Sequence, residues 1–269
     1  MSSRMITPIR LAAYGIQLWT GRLENHDFLW FATTDINATA TTWPILHNYA
    51  LTYAICQFSY AAFKGYTPRY FDDFERKVRS GDWAVEDEAG VDRMPAYALP
   101  TRNEAAGRTQ LTYNALDDRT LLTSTGRTNT PKLGRRVCLT PSMSLPTETS
   151  RSSGRHFPLL LFTWAEFKPP GVFRLGKKGC PIRVAWKEVV SAQAVVPVGE
   201  VSPCHPLNPL DLQRTDSVIS YYPAILPPHL IFVESRIENE WAVAVQGLGW
   251  VHLPARVARR LPLAVLADT

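Results

Sequence analysis

One segment of this chain, residues 44–63, repeats apolar side chains at helical spacing, whereas the apolar runs in the rest of the sequence are short. The repeat forms one broad helical face, whose members are Leu46, Tyr49, Ala50, Tyr53, Ala54, Phe58, Ala61 and Ala62. Pro44 is acceptable in the first turn of this helix, and Gly65 ends it. A second, short helix is predicted over residues 67–78, after the Thr67-Pro68 start signal.

The remaining apolar segments predict strands. Between Pro8 and Thr34 we expect an opening strand and a loop, with the polar GRLENHD stretch as the break. Residues 96–100 and 110–115 are strand-like and can pair across the TRNEAAGR turn. Five later strands are also predicted: PLLLFTW at 158–164, two strands flanking a glycine-bearing turn within 171–186, and residues 230–235 and 241–245.

Composition sets broad limits on the class of protein. A length of 269 residues suits a single elaborated domain over 1–269, and 45% apolar with 20% charged residues excludes a disordered chain. The net charge of +5 favours a polyanionic partner. The four cysteines form no C-x-x-C pair, which predicts a reducing cytoplasm without a zinc ribbon. No secretory signal and no membrane-spanning apolar run is recognised, so neither export nor membrane insertion is expected.

Two basic segments are candidates for contact with phosphates. The first surrounds Gly176 and Gly179, whose small size lets a phosphate approach the backbone; its cations are Arg174, Lys177, Lys178, Arg183 and Lys187. The second is the stretch 120–156, read as an exposed loop or hairpin with Glu148 as its one acidic residue; its cations include Arg127, Lys132, Arg135 and Arg136. A charged hairpin tip and a soluble loop are the alternatives without function.

His47, Asn48 and Tyr49 are the third candidate group, because these side chains can bond to or stack on unpaired bases. By periodicity, Tyr49 and Tyr53 are more often core aromatic residues of the predicted helix. A metal-independent ribonuclease would need a base, an acid and a cation, roles that His47, His156 and Lys177 could fill. No histidine falls in a metal-ligand spacing, so no metal and no cofactor is expected.

The stretch HNYALTYAICQFSYAAFKGYTPRYFDDF at 47–74 resembles the handle-binding subunit of type I-D CRISPR complexes, the Cas-five-like (Csc-one) family. Its N-Y-A-L-T-Y-A signature is matched by Asn48 through Ala54 and its P-R-Y by Pro68-Arg69-Tyr70. LTYNAL at 111–116 and FRLGKKGCPIRV at 173–184 are similar to further family segments in the expected order.

This resemblance implies an α+β fold of the repeat-associated mysterious protein (RAMP) type. Such a fold is a ferredoxin-like (RRM-like) antiparallel sheet with helices on one face and a protruding β-hairpin thumb, here expected at about 120–156. It also implies a non-catalytic subunit of a type I-D interference (Cascade) complex in antiviral defence. That subunit binds the 5′ handle of the CRISPR RNA (crRNA) and helps to position the large subunit for recognition of target DNA.

On that interpretation Arg174, Lys177, Lys178 and Arg183 line the handle, and Arg127, Lys132, Arg135 and Arg136 belong to the thumb or the channel wall. The implied partners are the crRNA 5′ handle, the large Cas-ten-like subunit, Cas-seven-like backbone subunits and, through the complex, double-stranded target DNA. Two other functions stay open from the sequence: a metal-independent endoribonuclease that processes precursor crRNA, and a scaffold that binds only proteins.

Overall fold

The computed structural model describes residues 8–31, 34–36, 39–56, 94–115, 132–142, 156–176, 179–214, 216–225 and 230–261. This part of the chain is built mostly of antiparallel strands with few helices, which confirms the predicted α+β class. None of its helices has the length and apolarity needed to cross a membrane. The four cysteines, all within the described residues, form no disulfide with one another, and Cys56, Cys138 and Cys180 are buried.

The strands, in chain order, are β1 Ile9–Arg10, β2 Gln17–Asn25, β3 Thr34–Ile36, β4 Thr39–Thr41, β5 Ile45–Leu46, β6 Ala96–Ala98, β7 Thr101–Arg102, β8 Arg108–Ala115, β9 Lys132–Leu139, β10 Phe157–Thr163, β11 Val172–Leu175, β12 Cys180–Glu188, β13 Gln193–Val195, β14 Val218–Ile225, β15 Ile231–Ile237, β16 Ala242–Val245 and β17 Gly249–His252. The helices are α1 Asn48–Cys56 and α2 Ala255–Ala258, and two 3₁₀ turns cover Leu11–Tyr14 and Pro209–Asp211.

The central element is a five-stranded antiparallel sheet with the order β11-β12-β2-β10-β6. Four of its strands, β6, β10, β11 and β12, fall where the sequence predicted strands, and the predicted glycine-bearing turn joins the last two. The strands predicted near the C-terminus are confirmed as β15 and β16. The central position of β2 gives it partners on both sides, and it pairs over seven residues with each of β10 and β12.

Strand β2 runs directly through the segment that the sequence analysis predicted as a polar break. Gly21–Asn25 belong to the strand, and the chain turns only at His26 and Asp27. The prediction was wrong because Arg22 and Glu24 point away from the core while Leu23 between them is fully buried. Alternation of this kind is typical of a strand with one face against the core.

Helix α1 packs on one face of the central sheet, where Leu51, Ala54 and Ile55 join an apolar cluster with Leu23 and Phe157. It begins at Asn48 rather than at Pro44, because Ile45–Leu46 pairs with Thr101–Arg102 as strand β5. His47 marks the start: its Nδ1 accepts a hydrogen bond from the backbone N–H of Tyr49 at 3.2 Å. Residues 57–65 and the predicted helix at 67–78 lie outside the described residues.

A second antiparallel sheet, with the order β1-β13-β16-β17, covers half of the opposite face of the central sheet. Leu18, Leu160 and Phe162 of the central sheet share a cluster with Val243 and Val251 of this second sheet. The other half of the face carries exposed side chains at Arg22 and Arg183. The central sheet therefore has one half-face available for contact with another molecule.

The predicted pairing of the strands at 96–100 and 110–115 is wrong, although both strands exist. β6 pairs with β10, and β8 pairs over eight residues with β9, which also lies parallel to β4.

Part of the basic stretch 120–156 is a strand: residues 132–139 form β9, whose buried end is Cys138 and Leu139. The thumb at about 120–156 stays a prediction, since residues 116–131 and 143–155 lie outside the described residues.

A buried polar cluster joins the C-terminal strands to the preceding loop. The Glu240 carboxylate is 1% exposed and accepts hydrogen bonds from the backbone N–H groups of Gln213 and Arg214, from the Ser217 hydroxyl at 2.6 Å and from His252 Nε2 at 2.9 Å. Burial alone raises the pKa of this carboxyl, but its donors, led by His252, more than offset that effect and lower the pKa. Gln213, Arg214 and Ser217 are thereby linked to β17 through Glu240.

Candidate nucleic-acid interface

The open half of the central sheet presents four cations on one surface, which we call the basic sheet face. Strand β12 alternates between buried residues at even positions from 180 to 184 and outward ones at odd positions, which brings Arg183 and Lys187 to the same side. Arg22 lies opposite Ala185 on the neighbouring strand, and Arg174 lies opposite Pro181. Partners directly opposite each other share a face of a sheet, so all four cations project from this surface.

Little acidic charge balances these cations. Glu24 lies opposite Arg183, but none of the four cations forms an ion pair with a residue that the structure describes. All four side chains are exposed. Such a surface attracts phosphate groups, since guanidinium groups bind phosphate through charge-assisted, often bidentate hydrogen bonds.

His156 borders the basic sheet face at the start of β10. Its Nδ1 lies 3.4 Å from Nη2 of Arg22. Burial, and then the positive charge of Arg22, lower the pKa of this imidazole. A neutral ring next to a guanidinium can bond to a base edge or to a 2′-hydroxyl group.

A groove of about 1160 Å³ continues from the basic sheet face toward the second sheet. One wall is formed by the central strands and includes Arg22, His156 and Lys187, while the opposite wall includes Gln246 and Leu248 of the β16–β17 turn. The groove and the basic sheet face share Arg22 and Lys187. An extended polymer could therefore lie across the sheet face and continue into the groove.

The turn between β11 and β12 depends on its two glycines. Gly176 and Gly179 have φ values of +78° and +64°, which residues with a Cβ atom rarely adopt. The N–H of Gly179 donates to the Gly176 carbonyl at 3.1 Å, and the Arg174 guanidinium donates to the Gly179 carbonyl at 2.8 Å. Arg174 thus lies against the turn that bears Lys177 and Lys178, which themselves lie outside the described residues.

Trp30 brings the two basic segments of the sequence together. The Arg136 guanidinium carbon lies 3.8 Å from the centroid of the Trp30 ring, a cation–π geometry. Gly176 packs against the backbone of the same residue, since a Cβ atom added to it would lie 2.6 Å from the Trp30 carbonyl oxygen. Strand β9 and the β11–β12 turn are therefore neighbours, although about forty residues separate them in the sequence.

Replacing Gly176 with alanine tests this packing. Gly199 is a matched control, because its φ is +80° and an added Cβ atom would meet nothing within 4 Å. We expect Gly199→Ala to lower the free energy of unfolding by about 1 kcal/mol through left-handed strain. Gly176→Ala should lower it by about 1 kcal/mol more, because the methyl group overlaps Trp30. Urea denaturation measures both values, and equal losses would contradict the close packing of Gly176 on Trp30.

The structure places Asn48 and Tyr49 in the core. Asn48 is fully buried: its amide nitrogen donates to the Tyr97 hydroxyl at 2.7 Å and to Asp211 Oδ2 at 3.1 Å, and its oxygen accepts from Asn208 at 3.1 Å. Tyr49 is 1% exposed and accepts a hydrogen bond from Arg256 at 2.8 Å. Both side chains therefore bind other residues of the core, and their contact with RNA stays a prediction.

The other predicted site residues are distributed as follows. Arg174 and Arg183 lie on the basic sheet face, Arg136 lies on Trp30, and His47 lies at the start of α1 with its ring 5.2 Å from that of Tyr49. Lys132 and Arg135 are placed by their backbone in β9, opposite Ala115 and Thr112. Arg127, Lys177 and Lys178 lie outside the described residues.

Sequence reasoning missed Arg22 as a member of the candidate site. Arg22 was assigned to a loop because the GRLEN segment is polar overall. The available signal was its position in the alternation Leu18, Thr20, Arg22 against Trp19, Gly21, Leu23.

Among the described residues, no three His, Cys, Asp or Glu side chains are grouped so that they could hold a metal ion.

A family model agrees with the resemblance seen in the sequence. A crystal structure of a CRISPR protein from Archaeoglobus fulgidus is similar to the chain with a TM-score of 0.36 and 12% identity, over 88% of this chain and 99% of that one. No curated protein matches the sequence. The model of the family described as type I-D CRISPR-associated protein Cas5/Csc1 matches residues 16–260, nearly the whole chain. The chain therefore belongs to the type I-D Cas5/Csc1 family of CRISPR-associated proteins.

Proposed function

We propose that this protein is a non-catalytic subunit of a type I-D interference complex and binds the 5′ handle of the crRNA on its basic sheet face. The observation that carries this proposal is the group of four exposed cations on one half-face of the central sheet: Arg22, Arg174, Arg183 and Lys187. Membership of the Cas5/Csc1 family supports a role in such a complex.

The geometry of an exposed sheet suits an extended single strand of RNA. Side chains two residues apart on one strand project about 7 Å apart, and neighbouring strands lie about 5 Å apart. The cations of β2, β11 and β12 thus form a two-dimensional array that can contact successive phosphates. Unstacked bases of a single strand remain available for bonding by the imidazole of His156 or by groups in the adjoining groove.

The resemblance extends this proposal to the fold and to the wider assembly. We propose a RAMP-type, ferredoxin-like fold, supported by an antiparallel sheet with α1 on one face. The strand pair β8–β9 would form the base of a thumb, on which Arg127, Lys132 and Arg135 line the RNA channel. The large Cas-ten-like subunit, the Cas-seven-like backbone subunits and target DNA would be neighbours in the complex. In such complexes base pairing supplies sequence specificity, so this subunit needs affinity rather than turnover.

Replacing Arg22 and Arg183 together with alanine is expected to weaken binding of handle RNA about tenfold at physiological salt, since two phosphate contacts are lost. The slope of log affinity against log salt should become shallower by about 1.4, from about 0.7 for each contact with a single strand. Fluorescence anisotropy with a labelled handle RNA at several salt concentrations measures both quantities, and a scrambled handle tests preference for the handle.

The control variant removes two other exposed arginines, Arg214 and Arg236, which pair with Asp216 at 3.0 Å and Glu200 at 3.6 Å. It keeps the same net charge as the double variant of the sheet face, and we expect its affinity and salt slope to match the wild type. An equal loss in both variants would mean that only overall charge matters. Absence of RNA binding by the wild type would favour a scaffold that binds proteins alone.

The pairing of His156 with Arg22 makes an endoribonuclease the second candidate function. A neutral imidazole can act as a general base, and the adjacent guanidinium can stabilise charge on a phosphate. The Nδ1 atom of His47, by contrast, is occupied at the start of α1. Gel analysis of the RNA after the titration separates the two functions: intact RNA supports a binding subunit, whereas cleavage products that disappear in His156→Ala would establish the endoribonuclease.

A further inference from the structure

His156 is held at the edge of the basic sheet face by its own backbone and by its neighbour in the chain. Its carbonyl oxygen accepts a hydrogen bond from the Asn103 side chain at 3.0 Å, and Phe157, the first residue of β10, is fully buried. In the pairing of β10 with β2, Pro158 lies opposite Arg22. This register brings the His156 side chain beside that of Arg22 on the same surface.

The contact between these two side chains decides which nitrogen of the imidazole carries the proton. Nη2 of Arg22 lies 3.4 Å from Nδ1 of His156. A guanidinium group only donates, so Nδ1 is the acceptor, and in the neutral ring the proton is then on Nε2. Burial, and then the positive charge of Arg22, lower the pKa of His156 below its ordinary value of 6.5. Near neutral pH the free protein therefore holds Arg22 with an uncharged imidazole.

A phosphate group is a better acceptor for Arg22 than this imidazole is. The 3.4 Å contact is long, whereas hydrogen bonds between a guanidinium and an anionic oxygen measure about 2.7–2.9 Å and are roughly twice as strong as neutral ones. Arg22 is exposed and forms no ion pair with a residue that the structure describes. A phosphate that reaches the basic sheet face therefore replaces His156 Nδ1 as the acceptor of Arg22.

The charged groups around His156 favour its protonation once a phosphate is bound. On β2, Arg22 opposes the charged ring, whereas Glu24 raises the pKa of the imidazole. Arg102 and Glu104, which line the groove with His156, form an ion pair with each other and so add little net charge. A phosphate on Arg22 offsets the cation that opposes protonation and adds a second anion beside Glu24.

We infer that an RNA phosphate displaces His156 from Arg22, and that the freed imidazole takes up a proton from solvent and donates a hydrogen bond from Nδ1 to the same phosphate. His156 thus positions Arg22 in the free protein and becomes a phosphate contact in the complex. The inference rests on the proposed function, since it requires RNA on the basic sheet face. A group that gains a proton on binding has a higher pKa in the complex, so affinity rises as the pH falls.

The test is a titration of labelled handle RNA with the whole chain at pH 7.5, 6.5 and 5.5 and constant ionic strength, followed by fluorescence anisotropy. We expect the affinity of the wild type to rise about fivefold from pH 7.5 to pH 5.5, the lower end of the range for coupled sites. His156→Gln keeps an oxygen that can accept from Arg22 but does not titrate, so it should lose this rise. His26→Gln, at an exposed turn, is the control and should retain it. The series stops at pH 5.5 because protonation of the buried His205 destabilises the fold at lower pH.

Calorimetry at pH 6.5 gives a second readout that a purely structural role of His156 would not change. Binding heats in two buffers of different ionisation enthalpy count the protons taken up with the RNA. Uptake by the wild type that His156→Gln lacks supports the inference. An affinity of the wild type that does not change with pH, or a rise that His156→Gln retains, would overturn it. Failure of the proposed function is a different result: the variant that lacks Arg22 and Arg183 would then bind handle RNA like the wild type at pH 7.5.

Discussion

Replacing Asp211 with alanine is expected to lower the free energy of unfolding by about 3–5 kcal/mol, the range found when one partner of a buried ion pair is removed. Asp211 is 1% exposed and lies in a 3₁₀ turn. Its carboxylate accepts hydrogen bonds from the Tyr97 hydroxyl and from Asn48, and Nε of Arg256 lies 3.8 Å away. The variant would leave the Arg256 guanidinium buried without its neighbouring carboxylate.

The loss is large because Asp211 connects three parts of the chain. Asn48 begins α1, Tyr97 belongs to the edge strand β6 of the central sheet, and Arg256 lies on α2. Burial, and then the negative charge of Asp211, raise the pKa of Tyr97 well above its usual value, so this hydroxyl remains a donor throughout the neutral range. All of these groups are desolvated, and each donor left without an acceptor costs about 1–3 kcal/mol.

Urea denaturation followed by tryptophan fluorescence measures the effect. The control is Asp216→Ala, which removes an exposed carboxylate that pairs with Arg214 at 3.0 Å. Exposed ion pairs contribute little to stability, so the control should unfold at the same urea concentration as the wild type. If Asp211→Ala and the control unfolded at the same urea midpoint, the buried network would not contribute to stability.

Lowering the pH from 7.5 to 4.5 is expected to cost about 3 kcal/mol of stability through His205 alone. Burial lowers the pKa of His205 to about 3 in the folded protein, against an ordinary value of 6.5. Between these two values the unfolded chain binds a proton that the folded chain excludes. The slope of unfolding free energy against pH is therefore positive in this window: stability is complete above pH 6.5 and falls as the pH drops.

The hydrogen bonds of His205 explain why the neutral ring is required. Its Nδ1–H donates to the Pro206 carbonyl at 2.7 Å, and its Nε2 accepts from the backbone N–H of His252 at 3.2 Å. Protonation of Nε2 would place two donors against each other in a buried site. Glu240 also makes stability fall as the pH drops, but only at lower pH. Its pKa in the folded protein is lowered, so the carboxylate stays ionised until the pH is below 4.5, the ordinary pKa of a glutamate.

Comparison of the wild type with His205→Leu isolates this effect. The variant loses both hydrogen bonds of the ring and is less stable at pH 7.5, but its stability should change by about 3 kcal/mol less than that of the wild type on going to pH 4.5. His26→Gln, at an exposed turn, is the control and should keep the wild-type dependence. Parallel curves for the wild type and His205→Leu would refute the assignment of the titration to His205.

The failures of sequence reasoning share a physical origin in pairing and burial. The strands at 96–98 and 108–115 were predicted from local alternation, but their partners are β10 and β9, which follow much later in the chain. Polar and aromatic groups made Asn48 and Tyr49 candidates for a contact with RNA, and the sequence did not reveal their partners in the core. Asp211 and Arg256, which engage these groups in the core, are more than 160 residues away. Local sequence carries no record of such distant partners.

The sequence by itself determined the α+β class, the strands β6, β8, β10, β11, β12, β15 and β16, the glycine turn at 176–179 and the family, because each depends on spacing and residue type within a short window. Only the tertiary structure decided which cations share a surface. Arg22, Arg174, Arg183 and Lys187 come together because β2 lies beside β12 and β12 beside β11. That strand order is fixed by which apolar faces bury most area together, a property of the whole chain rather than of any one segment.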